Sequence, residues 1–211
     1  MTRSSLSTGR RGAALWAFAI AITLVAVALS LPPLRRLIEQ SMAWHMVVQM
    51  PLLMLGGWVF AQVAGLPKRG FLSLPKSLSW NQFGLTGGVA TLVVLAYWML
   101  PSSIDRALVV PRTDAFKVIS LWSCGVLLRH CANRAPLLVQ LFFVGTVLPM
   151  LVWAGLYFAS TDLRLCNAYS LDSQIAAGQS LVGLAVALAV WWTARAALAS
   201  RHPAQVQVNT T

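Results

Sequence analysis

Residues 41–57, SMAWHMVVQMPLLMLGG, form an almost continuous apolar run that carries one histidine and a regular series of methionines. The methionines recur at every fourth position, as Met42, Met46, Met50 and Met54. Because a helix turns about 100° per residue, this spacing places them on one slowly drifting face, with His45 and Gln49 along its edge. The stretch therefore predicts a helix with thioether and imidazole groups on one side.

This methionine face has two interpretations. Thioether sulfur suits Cu(I), imidazole also binds copper, and neither group brings a negative charge into a membrane. Methionine is equally a common filler of irregular helix contacts, and a single histidine in a membrane bundle often does no more than hydrogen-bond a neighbour. The stretch alone leaves both interpretations open.

The composition is that of an integral membrane protein. Of the 211 residues, 58% are hydrophobic and 10% are charged, against about 45–50% apolar and 25% charged in soluble domains. Several apolar runs reach the roughly 20 residues that a helix needs to cross a bilayer. The net charge of +11 is therefore attributed to topology and to contact with membrane lipid, and no nucleic-acid partner is expected.

Sequence motifs of common enzymes are missing. The chain has no CxxC pair, no glycine-rich phosphate loop and no nucleophile elbow. Cys124 and Cys131 are seven residues apart, about 10 Å along a helix, which is too far for a disulfide. We therefore expect a protein that is not an enzyme.

The apolar segments predict an all-α fold, a polytopic transmembrane bundle of about six helices. The predicted spans are 13–31, 43–65, 83–100, 115–128, 136–159 and 175–197. Pro51 predicts a kink in the second span because its ring nitrogen cannot donate a hydrogen bond. The fourth span is short, and Lys117 near its start is expected to extend towards the interface.

These spans divide the chain into a basic N-terminal tail, 1–12, one membrane domain, 13–198, and a polar C-terminal tail, 199–211. The first apolar run is long for a signal peptide and lacks a clear cleavage site, so we expect it to remain as a span. The first tail and the last are both predicted to be cytoplasmic.

This orientation rests on the distribution of basic residues. Ten of the 16 basic residues fall in the inner segments if the N-terminus is cytoplasmic. These ten are Arg3, Arg10, Arg11, Lys68, Arg69, Lys76, Arg129, Arg134, Arg195 and Arg201. The other six, together with all five acidic residues, fall outside. The positive-inside rule therefore predicts that the second span begins at the periplasmic side.

Ligand-type residues gather at that outer side. Met42, His45 and Met46 are the candidate metal ligands. The candidate supporting residues are Gln49, Asp105, Tyr157, Asp172 and Gln174. Because an ionisable group is costly in lipid, His45 is expected to face the bundle interior. We expect its side chain to lie within reach of Asp105, Tyr157, Asp172 or Gln174.

Three stretches resemble motifs of the CtaG-like family of cytochrome c oxidase assembly factors. HMVVQM at 45–50 with LLML at 52–55 resembles the family's HMxxHM…LL motif. Leu100-Pro101, Asp105 and Ala107-Leu108 are similar to its LP…D.AL segment. Leu156-Tyr157, LDSQ at 171–174 and Gly178 are similar to its LY…L.DQ..G segment. The resemblance implies a bacterial inner-membrane protein for oxidase assembly or copper handling, with oxidase subunits or copper chaperones as partners.

The chain departs from the family at several candidate ligands. Gln49 stands in place of the family's second histidine, and Asp172 and Gln174 are separated where the family has adjacent residues. The predicted fourth span has no histidine, and the chain is about one helix shorter than family members. Methionine or cysteine can replace imidazole as a Cu(I) ligand. The resemblance therefore leaves two readings open, a Cu(I) site at His45 or a member that has lost its metal.

Two other classes of function remain. One is a membrane-anchored electron-transfer subunit that ligates haem through His45 and a methionine. The other is a structural subunit of a respiratory-type complex, or a small-solute transporter, with no bound metal. If a metal is bound, the sequence favours Cu(I) over zinc, because zinc sites usually take three or four Cys, His or carboxylate ligands.

Overall fold

The computed structural model describes residues 3–29, 31, 34, 38–64 and 79–201, and of residues 3–12, 15, 79–80, 82 and 199–201 it describes the backbone only. These parts of the chain are helical and contain no strand, which confirms the all-α fold class. The helices are α1 (Arg3–Ala28), α2 (Met50–Ala64), α3 (Leu85–Trp98), α4 (Pro101–Val109), α5 (Pro111–Ala132), α6 (Leu137–Ser160) and α7 (Leu171–Arg201). A π-helical turn, Trp44–Gln49, leads directly into α2, and a short 3-10 helix, Ser79–Gly84, precedes α3.

Within the described ranges, three helices are long and apolar enough to cross a membrane. They are Trp44–Ala64, which joins the π-helical turn to α2, then α6, and α7 as far as Leu198. Helices α3 and α4 meet the same criterion only as a pair, and the pair is bent by 75°. The described chain thus has three to four candidate spans, and the predicted six-span bundle is not confirmed.

Prolines set the boundaries around this bend. Pro101 opens α4 and Pro111 opens α5. The residues before them, Leu100 and Val110, are extended, because a proline ring disfavours the helical conformation in the residue that precedes it. The connection after α3 therefore turns sharply and folds as the separate helix α4.

Helices α2 and α5 pack closely through two glycines. A Cβ atom at Gly57 would collide with the carbonyl oxygen of Trp122, and a Cβ atom at Gly125 would collide with that of Met54. Small residues allow membrane helices to approach in this way. Helix α1 packs against α2, and α3 packs against α5. We call α1, α2, α3 and α5 the four-helix group.

Helices α6 and α7 form a hairpin with a similar contact. A Cβ atom at Gly155 would lie 2.6 Å from the carbonyl oxygen of Gly178. The hairpin meets the four-helix group towards both of its ends. At one end α7 contacts the π-helical turn, and at the other the Phe143 ring of α6 packs on Gly88 of α3. We call these the His45 end and the Arg195 end.

Candidate functional site

His45 lies in the π-helical turn that precedes α2. The amide of Met50 donates a hydrogen bond to the carbonyl of His45, five residues back, so the turn is wider than an α-helical one. The turn ends at Gln49, two residues before Pro51. His45, Met46 and Gln49 of this turn are all buried.

The His45 side chain is fully buried, and both ring nitrogens have partners. The hydroxyl oxygen of Tyr169 lies 3.3 Å from Nδ1, and Nζ of Lys117 lies 3.4 Å from Nε2. A carboxylate oxygen of Glu39 lies 4.0 Å from Nδ1. His45 therefore sits among polar side chains that come from three other parts of the chain.

Lys117 is also fully buried, so the expectation that it extends towards the interface is wrong. Its Nζ lies 2.8 Å from Oδ1 of Asp114, one turn earlier on α5. Because an ammonium group only donates hydrogen bonds, Nε2 of His45 accepts from Lys117, and the imidazole proton is assigned to Nδ1, which faces Tyr169. Glu39, His45, Asp114, Lys117 and Tyr169 are called the His45 cluster below.

The loop between α6 and α7, residues 161–170, covers this cluster, and Gln174 holds one side of the loop. The Gln174 side chain accepts a hydrogen bond from the Leu165 amide at 2.9 Å. It also donates to the carbonyls of Phe158 at 3.3 Å and Leu163 at 3.2 Å. Gln174 thus ties the end of α6 and the loop to the first turn of α7.

Asp105 of α4 and Arg164 hold the other side of the loop. Asp105 accepts hydrogen bonds from the amides of Asn167 at 2.9 Å and Ala168 at 3.4 Å. Arg164 donates to the carbonyl of Tyr169 at 3.2 and 3.0 Å. These bonds hold the backbone around Tyr169 while its side chain, 3% exposed, contacts His45.

Cys166 of the same loop is buried, and its thiol lies 3.9 Å from the carbonyl oxygen of Pro101. Burial raises the pKa of the thiol to about 12, and the negative charge of Asp105 acts in the same direction. Cys166 is therefore a neutral thiol near pH 7 and packs as an apolar group between the loop and α4.

The structure separates the predicted site residues into three sets. Met42, His45, Met46 and Gln49 are buried, and Gln49 donates to the Leu29 carbonyl at 3.3 Å. Asp105 and Gln174 hold the covering loop. Tyr157 and Asp172 are exposed, and the hydroxyl that reaches His45 belongs to Tyr169 instead.

The stretches that carry the CtaG-like resemblance meet at the His45 end. The Met42 amide, just before the first stretch, donates to the Ser173 hydroxyl of the third at 2.8 Å. Asp105, of the second stretch, bonds to the loop that precedes LDSQ. Parts of the chain that are far apart in sequence thus build one end of the molecule.

Sequence reasoning did not assign four members of the His45 cluster to the site. The sequence does hold a pattern that points to Asp114 and Lys117, because a basic residue three positions after an acidic one can form an ion pair on a helix. Glu39 stood in a connecting segment, and Tyr169 lies in a loop with no periodic pattern. Their relation to His45 is visible only in the tertiary structure.

No family model, no curated protein and no solved structure matches this chain. The CtaG-like resemblance therefore depends on the three short stretches quoted above.

Met42, His45 and Met46, the predicted copper ligands, lie close together in sequence and are all buried. Two thioethers and one imidazole, all buried, are chemically suited to Cu(I). Both nitrogens of His45, however, already contact Lys117 and Tyr169. Binding of copper to either nitrogen of His45 would therefore require the loss of the contact with Lys117 or the contact with Tyr169.

Proposed function

We propose that the protein assists cytochrome c oxidase assembly or copper handling in the bacterial inner membrane and is not an enzyme. The observation that supports this proposal is the meeting of the three CtaG-like stretches around the buried His45. Its proposed partners are oxidase subunits or copper chaperones that approach the His45 end.

The proposal includes six spans with both termini in the cytoplasm. Helices α1, α3 and α5 would then count as spans beside the other three, and α4 would belong to the outer connection after α3. Charge supports this orientation, because Glu39, Asp105, Asp114, Asp162 and Asp172 all lie at the His45 end. Arg129, Arg134 and Arg195 lie at the opposite end, which the positive-inside rule places in the cytoplasm.

Reporter fusions test this topology. A reporter inserted between residues 68 and 76, where Lys68, Arg69 and Lys76 lie outside the described residues, is expected to behave as cytoplasmic. A reporter inserted between residues 162 and 172 is expected to behave as periplasmic. The reverse pattern would contradict the orientation and move the His45 end to the cytoplasm.

For copper handling, we propose that Met42, His45 and Met46 hold Cu(I). His45→Ala, and separately the pair Met42→Leu with Met46→Leu, are each expected to weaken Cu(I) binding by roughly tenfold or more, since even outer-shell changes at metal sites cost 10–100-fold. Met54→Leu, about two turns further along the helix than Met46, is the matched control and should bind like the unmodified protein. Competition with a Cu(I) chelator on each purified variant measures the affinity.

Equal Cu(I) affinity in the unmodified protein and in His45→Ala would contradict the copper site. The second candidate, a structural subunit without a metal, would then be preferred. It is supported by the polar contacts on both nitrogens of His45, which satisfy the imidazole without a metal.

An absorption spectrum with metal analysis also tests the haem alternative. A haem ligated by His45 and a methionine would give a Soret band.

A further inference from the structure

A cavity of about 460 Å³ lies between the four-helix group and the α6–α7 hairpin. This volume is within the range of about 300–1,000 Å³ that is usual for small-molecule sites. Its walls are almost entirely apolar and include Met50, Leu95, Val147 and Leu184. The cavity is thus a hydrophobic space inside a membrane protein, suited to a hydrocarbon chain.

The polar lining of this cavity is concentrated at the Arg195 end. Gln140, near the start of α6, and Arg195, near the end of α7, both line it there. The Arg195 guanidinium lies 5.6 Å from the ring centroid of Trp191, another lining residue. The cavity therefore combines a long apolar part with a basic mouth.

A second arginine lies near the same mouth. The Arg129 guanidinium lies 5.5 Å from the ring centroid of Trp58, which also lines the cavity. All five acidic residues of the sequence are described, and all lie at the His45 end. A negatively charged group at the Arg195 end of the cavity therefore meets the Arg195 guanidinium, with Arg129 behind the lining residue Trp58, and among the described residues it meets no carboxylate side chain.

We infer that this cavity holds an acyl chain of an anionic phospholipid, with the lipid phosphate at Arg195. A guanidinium group binds phosphate oxygens through paired hydrogen bonds, and basic pockets between transmembrane helices bind anionic headgroups. A zwitterionic lipid such as phosphatidylcholine also has a phosphate, but its ammonium group cancels that charge and would lie close to the arginine. Free phosphate supplies the negative charge without the acyl chain. An anionic phospholipid is the occupant that matches both parts of the cavity.

Native mass spectrometry of the full chain tests this inference. The protein is purified in detergent, mixed with phosphatidylglycerol or with phosphatidylcholine of the same acyl chains, and the lipid retained per protein is measured. We expect about one phosphatidylglycerol to be retained preferentially. Arg195→Gln is expected to lower that retention about fivefold, as the loss of one basic residue near an anionic lipid implies.

Two further variants separate the parts of the site. Arg112→Gln removes the same charge from an exposed position at the His45 end and should leave retention unchanged. Leu184→Trp narrows the cavity and should lower the retention of both lipids, with circular dichroism confirming that the variant is folded. Equal retention of the two lipids, or an equal effect of Arg195→Gln and Arg112→Gln, would overturn the inference. These outcomes do not depend on copper or on an oxidase.

Discussion

Replacing Gly125 with alanine is expected to lower the free energy of unfolding by about 3 kcal/mol, the upper end of the usual cost of overpacking. The added Cβ atom would collide with the carbonyl oxygen of Met54 on the facing helix. A backbone carbonyl cannot rotate away as a flexible side chain can, so α2 and α5 must separate along their contact. Gly57→Ala makes the reciprocal collision with Trp122 and should cost a similar amount.

The matched controls are Gly145→Ala in α6 and Gly183→Ala in α7. A Cβ atom at either position meets nothing within 4 Å. Alanine is the better helix former, so each control should be neutral or should gain up to about 0.5–1 kcal/mol. Unfolding of the full chain in detergent, followed by circular dichroism, measures all four variants. Equal stability of Gly125→Ala and Gly145→Ala would contradict the close approach of α2 and α5 at Gly125.

The second large effect is expected from Lys117→Met. The substitution keeps a long unbranched side chain but removes the ammonium group 2.8 Å from Asp114 and 3.4 Å from His45. Asp114, almost fully buried, loses this counter-charge, and His45 loses a hydrogen-bond donor. Breaking a buried ion pair from one side costs about 3–5 kcal/mol, and we expect a loss near the lower value.

A double variant separates this electrostatic effect from a packing effect. Asp114→Asn combined with Lys117→Met removes both charges, and replacing a whole buried pair is often neutral or stabilising. The double variant should therefore recover most of the stability lost in Lys117→Met, which a double-mutant cycle in detergent measures. Arg112→Met, on the exposed side of the same helix, should change the stability by no more than about 0.5 kcal/mol. A loss that persists in the double variant would show that Lys117 acts through its packing.

Local sequence patterns placed several helices closely. The second span was predicted at 43–65 and is observed at Trp44–Ala64, and the fifth was predicted at 136–159 and is observed at Leu137–Ser160. Both are long apolar runs, and in lipid a helix satisfies its backbone hydrogen bonds within the segment itself. The same reasoning placed the fourth span at 115–128, whereas α5 extends from Pro111 to Ala132. Asp114 and Lys117 pair within the first turns of this helix, and Pro111 opens it.

The sequence also marked His45 as the centre of a site, since a lone imidazole in an apolar run requires a partner. It did not identify that partner. Tyr169 lies 124 residues further along the chain, in a loop whose path depends on bonds from Asp105 and Gln174. Tyr157, the tyrosine chosen from its position at a helix end, is exposed instead.

The sequence by itself thus determined the helical fold, the apolar helices that are long enough to cross a membrane, and the expectation that His45 faces the interior. Hydrophobicity and helical period are properties of neighbouring residues, so they can be read from a single chain. Only the tertiary structure decided that α2 and α5 meet at Gly57 and Gly125, and that Lys117 and Tyr169 meet at His45. These contacts join residues that are distant in sequence, and they form only when whole helices pack and the loop between α6 and α7 closes over them.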